Sequence, residues 1–177
     1  SYEKSNWRNC SSYVRSSIIN KAAEMMLSKR LALSVHIQYE SGKTALEALA
    51  DVDEAIDFLR YYAREEEALA DQAEQMGQKM QARGIMAVIT PWNFPLAIPT
   101  GMVCASLITG NSVIVKSAEQ APLIVEKLVQ ILWQAGVPKE VLAHLPGDGE
   151  SVGKFLVESE DIGGVIFTGS KNVGTWI

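Results

Sequence analysis

The chain has 177 residues, 47% of them hydrophobic, and a formal net charge of -5 at pH 7. That length supports one domain with a buried core, and an acidic balance without any offsetting basic run argues against a nucleic-acid partner. The longest mostly apolar stretch, Leu96 to Ile108, holds Pro99, Thr100 and Gly101 and is too short and too broken to be a transmembrane segment.

The opening stretch, Ser1 to Ser12, is polar and carries Lys4 and Arg8. No apolar segment follows it, so no secretory signal is visible. Cys10 and Cys104 lie far apart, which is no disulfide framework and points to a reducing, cytoplasmic setting. His36 and His144 stand without a cysteine or carboxylate at ligand spacing, so both read as structural and no metal site is expected.

Helical periodicity then governs the first half. Val14 to Lys29 carries Val14, Ile18, Ala22, Met25 and Met26 at roughly helical steps, and a shorter helix covers Ala32 to Tyr39, before Ser41-Gly42. The strongest pattern starts near Thr44, where Leu46, Leu49, Val52, Ile56, Leu59 and Ala63 form a core-facing stripe. Ser41, Thr44 and Asp51 are candidate caps, and Glu47 three residues after Thr44 fits a capping box. The charge run Arg64 to Glu67 reads as a solvated face. Tyr61 and Tyr62 are adjacent, so one ring packs and the other is exposed.

The period changes in the second half. Apolar runs at Ile85 to Ile89, Ser112 to Val115, Val141 to Leu145 and Val165 to Phe167 read as strands. Helical patterns at Leu96 to Ile108, Pro122 to Trp133 and Ser151 to Val157 separate them, the second stopped by Gly136 and Pro138. The alternation predicts an α/β fold: a helical region over 1–80, then Rossmann-like βαβ units with a parallel sheet over 81–177, within a single domain. Ligands of such sheets sit at the carboxyl ends of the strands.

Four segments fall at those ends. After the first strand comes Thr90-Pro91-Trp92-Asn93-Phe94-Pro95-Leu96. Two prolines stiffen this turn, and the Asn93 amide can donate to an oxygen that gains charge during a reaction; closing a turn is the alternative role for an isolated Asn. After the second strand comes Lys116-Ser117-Ala118-Glu119-Gln120-Ala121-Pro122. A carboxylate there can accept from both ribose hydroxyls of a dinucleotide and would repel a 2′-phosphate, favouring NAD over NADP; Lys116 can reach the same hydroxyls. The plainer reading is an exposed Lys and a helix-starting Glu. After the third strand, Pro146-Gly147-Asp148-Gly149-Glu150-Ser151-Val152-Gly153 places its third glycine one position later than the dinucleotide fingerprint does. After the fourth comes Phe167-Thr168-Gly169-Ser170, where Gly169 permits close backbone approach and Ser170 can cap a helix or bond a phosphate.

Taken together, these motifs resemble those of the aldehyde dehydrogenase superfamily, from about Asn20 to Ile177. Thr90-Pro91-Trp92-Asn93-Phe94-Pro95 looks like its oxyanion-hole signature. Lys116 to Pro122 looks like its Lys-Pro-x-Glu-x-x-Pro motif, with Ser117 where the usual residue is Pro. Phe167 to Ser170 looks like its pyrophosphate segment. Glu40-Ser41-Gly42-Lys43, Asp51 to Ala63 and Leu145 to Glu150 are similar to the L-glutamate γ-semialdehyde (1-pyrroline-5-carboxylate) dehydrogenase branch, including the dehydrogenase module of bifunctional proline utilization A.

The resemblance implies NAD as cofactor, a small-molecule aldehyde as substrate and a homo-oligomeric intact enzyme. It implies that Asn93 helps form the oxyanion hole. Cofactor contacts would come from Thr90, Pro91, Trp92, Lys116, Glu119, Gly149, Gly153, Phe167, Thr168, Gly169 and Ser170. In this superfamily a cysteine thiolate attacks the aldehyde and a glutamate acts as base. Both belong to segments that would follow Ile177, so the chain is expected to be an N-terminal portion, inactive alone. A dehydrogenase for another aldehyde, or a nucleotide-binding or interaction module without chemistry, are the competing readings.

Overall fold

A computed structural model of the chain describes residues 6–177; the part of the polar opening stretch that holds Lys4 lies outside them. Four short strands form the centre: β1 (Ile85–Ile89), β2 (Ser112–Lys116), β3 (Leu142–His144) and β4 (Ile162–Phe167). All pair in parallel, in the order β3-β2-β1-β4. The expected α/β architecture with a parallel sheet is therefore present. Between the strands run α4 (Ala97–Ile108), α5 (Pro122–Ala135) and α6 (Lys154–Glu158), and α7 (Lys171–Trp176) follows β4. The chain moves outward from β1 to β3 and then returns to the free side of β1. The strand order thus reverses between β1 and β4, the position at which open α/β sheets bind ligands.

Three helices cover this unit: α1 (Ser12–Ser28), α2 (Arg30–Ser41) and α3 (Ala45–Gln75). Thr44 caps α3 through the expected capping box, its hydroxyl accepting from Glu47 N while the Glu47 carboxylate accepts from Thr44 N. The buried face of α3 includes Val52, Ile56, Leu59 and Ala63 as read, but also Ala48, Asp51, Ala55 and Glu66, whereas Leu46 is 81% exposed. α3 packs on α4 closely enough that a Cβ on Gly101 would come within 3.2 Å of the Phe58 ring. Tyr62 stacks on Phe58 while Tyr61 stays exposed.

Several expectations are corrected. The buried face of α1 is Arg15, Ser16, Ile19, Ala22, Ala23 and Met26, with Val14 exposed. A polar side chain defines that face: the Arg15 guanidinium donates to the Ile108 and Cys10 carbonyls and pairs with Glu66 at 3.1 Å. Hence Arg64 to Glu67 is not wholly a solvated face, because Glu66 is buried. Its carboxyl is pushed above the usual range by burial, against the opposing pull of Arg15. Trp7, in the stretch read as polar, is a core side chain whose indole N–H donates to Leu107 O at 2.9 Å. β4 begins three residues earlier than expected, at Ile162, because Gly163 lets it lie against the chain entering β1: a Cβ there would stand 2.7 Å from Arg83 O. In place of a helix over 151–157 there is a wide π-type turn, Gly149–Gly153, and then α6.

The helical layer also caps the crossover helices. Asp51 on α3 accepts from Ala97 N at 2.7 Å, the first residue of α4. Glu40 on α2 accepts from Leu123 N and Ile124 N, both at 2.7 Å, in the first turn of α5. Carboxylates at helix N-termini satisfy orphan amides and complement the dipole. Asp51, a candidate cap by sequence, thus caps α4 and not its own helix. Ser41 caps nothing, its hydroxyl donating to Ile37 O. Among the described residues no helix is long and apolar enough to cross a membrane.

Candidate functional site

The turn after β1 is pinned to its neighbours at strand level. Thr90 N donates to Lys116 O at 3.1 Å, and Thr168 N donates to Ile89 O at 3.3 Å. Ile89 stands opposite Lys116 on β2 and Phe167 on β4. The carboxyl ends of three strands therefore meet in one row. Within the turn Pro91 and Pro95 are buried, while Trp92, Asn93 and Phe94 are exposed. The rigid residues face the protein and the polar one faces outward. No described residue hydrogen-bonds the Asn93 amide, which leaves its N–H donors available. The Thr90 hydroxyl is buried without a partner.

At the end of β2 the structure brings together Lys116, Glu119, Gly149 and Gly153. Lys116 is 5% exposed and its amine donates to Ser117 O at 3.2 Å. Burial pushes its pKa down, opposed by the charges of Glu119 and Asp148. Gly149 N donates to Glu119 Oε1 at 3.2 Å, so the glycine turn closes onto the β2 turn. A Cβ on Gly153 would lie 3.7 Å from the Lys116 stem, whereas above Gly149 there is open space. Asp148 starts the turn by accepting from Ser151 N and Ser151 Oγ, bonds that hold its carboxyl below the ordinary range.

His144 is a residue whose setting the sequence did not reveal. Its Nδ1 lies 2.9 Å from Glu126 Oε2 and its Nε2 3.0 Å from Ser117 Oγ. The Glu126 carboxylate accepts only, so the proton between them sits on His144 Nδ1, while Nε2 faces the Ser117 hydroxyl, which can donate or accept. Burial acts to raise the Glu126 pKa, but the bonds from His144 and Gln130 outweigh it and the value is lowered. This chain ties the ends of β2 and β3 to α5, at the position where proline would otherwise stiffen the turn. Spacings of 18 and 27 residues match no ligand motif, and no sequence signal marked them.

The β4 end is more open. Thr168, Gly169 and Ser170 are exposed and Phe167 is half-buried. A Cβ on Gly169 would stand 2.8 Å from the Phe167 ring. Ser170 Oγ accepts from Val173 N at 3.3 Å and so caps α7, leaving its own proton free to donate. Neither cysteine joins the site. Cys104 is buried in α4, and burial pushes its thiol far above the range in which a thiolate forms. The Cys10 thiol rests against Asn6 O at 3.4 Å, just before α1. No three His, Cys, Asp or Glu side chains gather as metal ligands among the described residues.

The profile of the Aldehyde dehydrogenase family matches residues 2–177. The chain belongs to the aldehyde dehydrogenase family. Within it, the chain is 40% identical over 175 residues to 1-pyrroline-5-carboxylate dehydrogenase 1 of Halalkalibacterium halodurans, covering 95% of this chain and 34% of that protein. It is 45% identical over 161 residues to the bifunctional protein PutA of Escherichia coli, covering 91% of this chain and 12% of PutA. A solved structure of 1-pyrroline-5-carboxylate dehydrogenase from Thermus with bound NAD superposes with a TM-score of 0.87 at 38% identity, covering 97% of this chain and 35% of that one. The chain thus spans about a third of the length of its single-function relatives and a smaller share of the bifunctional ones.

Proposed function

We propose that these residues form the NAD-binding and oxyanion-stabilising part of an enzyme that oxidises L-glutamate γ-semialdehyde to glutamate. The single observation that carries this reading is the juxtaposition at the carboxyl ends of paired strands. An exposed, unbonded amide donor, Asn93, stands at the end of β1, and the neighbouring end of β2 carries Lys116 and Glu119, the latter bonded to a glycine turn. The donor set fits a dinucleotide. The Glu119 carboxylate accepts from a vicinal diol, the Lys116 ammonium donates to it, and the open space above Gly149 gives room for the sugar. The Ser170 hydroxyl, already accepting from its own helix, keeps a proton for a pyrophosphate oxygen, and Gly169 keeps the approach clear. Thr90, Pro91, Trp92, Gly153, Phe167 and Thr168 complete the wall. NAD, when bound, supplies the hydride acceptor.

Asn93 would donate to the oxygen that gains charge as a thiolate attacks the aldehyde carbon. That thiolate comes from neither Cys10 nor Cys104, so these 177 residues assayed alone should form no NADH. The semialdehyde as substrate rests on the named relatives at 40% and 45% identity. The division into a helical region over 1–80 and βα units over 81–177 of one domain, homo-oligomerisation and a cytoplasmic setting are part of the same proposal; the last is supported by two free cysteines.

The experiment that tests the cofactor assignment is replacement of Glu119 in the intact enzyme. Glu119→Gln should weaken NAD binding and narrow its advantage over NADP, since a charge that repels the 2′-phosphate is gone. An unchanged ratio of the two dissociation constants would remove Glu119 from the ribose.

A further inference from the structure

We infer that Lys43, set in place by Asp51, is a positioning residue for the Asn93 amide. The inference rests on the proposed role of Asn93 as oxyanion donor.

The Asn93 side chain has no hydrogen bond of its own among the described residues, so the backbone of the 90–97 turn decides where its N–H groups point. Two prolines constrain that backbone from within. Beyond the bond from Thr90 N to Lys116 O at its start, two contacts constrain it from outside, and both run through one carboxylate. Asp51 Oδ1 accepts from Ala97 N at 2.7 Å and fixes the end of the turn where α4 begins. Asp51 Oδ2 accepts from Lys43 Nζ, also at 2.7 Å. The same ammonium lies 4.0 Å from the centroid of the Phe94 ring, next in sequence to Asn93.

Burial gives the arrangement its stiffness. The Asp51 side chain is 0% exposed and that of Lys43 15%, so the ion pair is little screened by water and Asp51 cannot swing away without stranding a charge. Phe94 is 41% exposed, and burial alone does not fix its ring. An ammonium over the ring face supplies the missing constraint. Lys43 comes from the short link between α2 and α3, outside the sheet unit, so the helical layer acts on the catalytic turn without touching substrate or cofactor.

A preorganised donor loses effect when displaced by even a fraction of an ångström. In the intact enzyme Lys43→Met should therefore lower kcat by about 10-fold while the NAD dissociation constant stays near wild type. Lys43→Arg keeps a cation that can pair with Asp51 and sit on the ring, and should recover most of the rate. Phe94→Leu removes the ring and leaves the ion pair intact; it should reproduce the loss of kcat at an unchanged melting temperature. The deciding arm is the double variant. If Lys43 acts through the amide, adding Lys43→Met to Asn93→Ala costs no more than about twofold. Equal losses from Lys43→Met in both backgrounds, or a loss confined to NAD binding, would overturn the positioning role. A kcat near wild type for Asn93→Ala alone would instead overturn the oxyanion reading beneath it, a result separable from the first because it needs no change at Lys43.

Discussion

The helices and turns that follow the strands divide into two kinds by how their first turns are satisfied. α4 and α5 receive carboxylates from outside the sheet unit, Asp51 across 46 residues of sequence and Glu40 across 83 and 84. The Gly149 turn and α7 are capped from within, by Asp148 and Ser170 three residues away. The Asp51 bond to Ala97 N is buried, where an unsatisfied amide has no water to turn to, whereas Glu40 meets the first turn of α5 at a partly exposed edge. The second pair is exposed, and water can replace a lost cap. The β1 and β2 ends thus depend on carboxylates of the helical layer, the β1 end most because its cap is buried, while the β3 and β4 ends stand on their own turns.

Removing the remote caps should break that contrast most visibly. In the intact enzyme Asp51→Ala deletes a buried carboxylate, uncaps α4 and strands the Lys43 charge, and should cost about 3 to 5 kcal/mol of stability. A loss below about 1 kcal/mol by chemical denaturation would mean that water replaces the carboxylate, and that α4 is no more dependent than α7. Next in size is Glu40→Ala, which leaves two first-turn amides of α5 unbonded and should cost about 1 to 2 kcal/mol. The exposed counterpart, Asp148→Ala, should cost about 1 kcal/mol or less. Equal losses at Glu40 and Asp148 would erase the distinction between remote and local capping.

The smallest expected effect sharpens the view of the buried layer itself. Burial raises the pKa of Glu66 above the ordinary 4.5, against the pull of Arg15. The folded state then holds this proton more tightly than the unfolded chain does. The stability Glu66 contributes is full below its unfolded pKa and is lost as pH rises through the folded value. The melting temperature of wild type relative to Glu66→Gln should therefore rise as pH falls from neutral towards about 4.5. A difference that stays flat over that window would show that Arg15 keeps Glu66 fully ionised.

The same division between local and remote explains what could be read from the chain. Strands β1 and β2, the capping box at Thr44 and the opening of α5 at Pro122 are set by neighbours in sequence and follow from periodicity and turn chemistry. So does the cap at Ser170. Arg15, Asp51 and Glu66 escape a local reading for the opposite reason: their partners lie 93, 46 and 51 residues away, and a charged residue on a helix reads as solvent-facing until its partner is known. His144 repeats the lesson within the candidate site, since its bonds to Ser117 and Glu126 depend on the sheet having formed. The turn residues Thr90 to Leu96 and Lys116 to Glu119 were legible because strand ends declare themselves and because their motifs resemble a family. Their mutual closeness is a product of the parallel register between β1 and β2.

The account stands or falls on the amide at the end of β1. In the intact enzyme, kcat, the NAD dissociation constant and the melting temperature should be measured on one preparation of Asn93→Ala. Losing a single oxyanion donor should lower kcat by about 10² to 10³. NAD affinity and melting temperature should stay near wild type, because Pro91, Pro95 and the Asp51 cap hold the turn without the amide. A kcat within a few-fold of wild type, with the melting temperature lowered instead, would make Asn93 a turn residue and contradict the account.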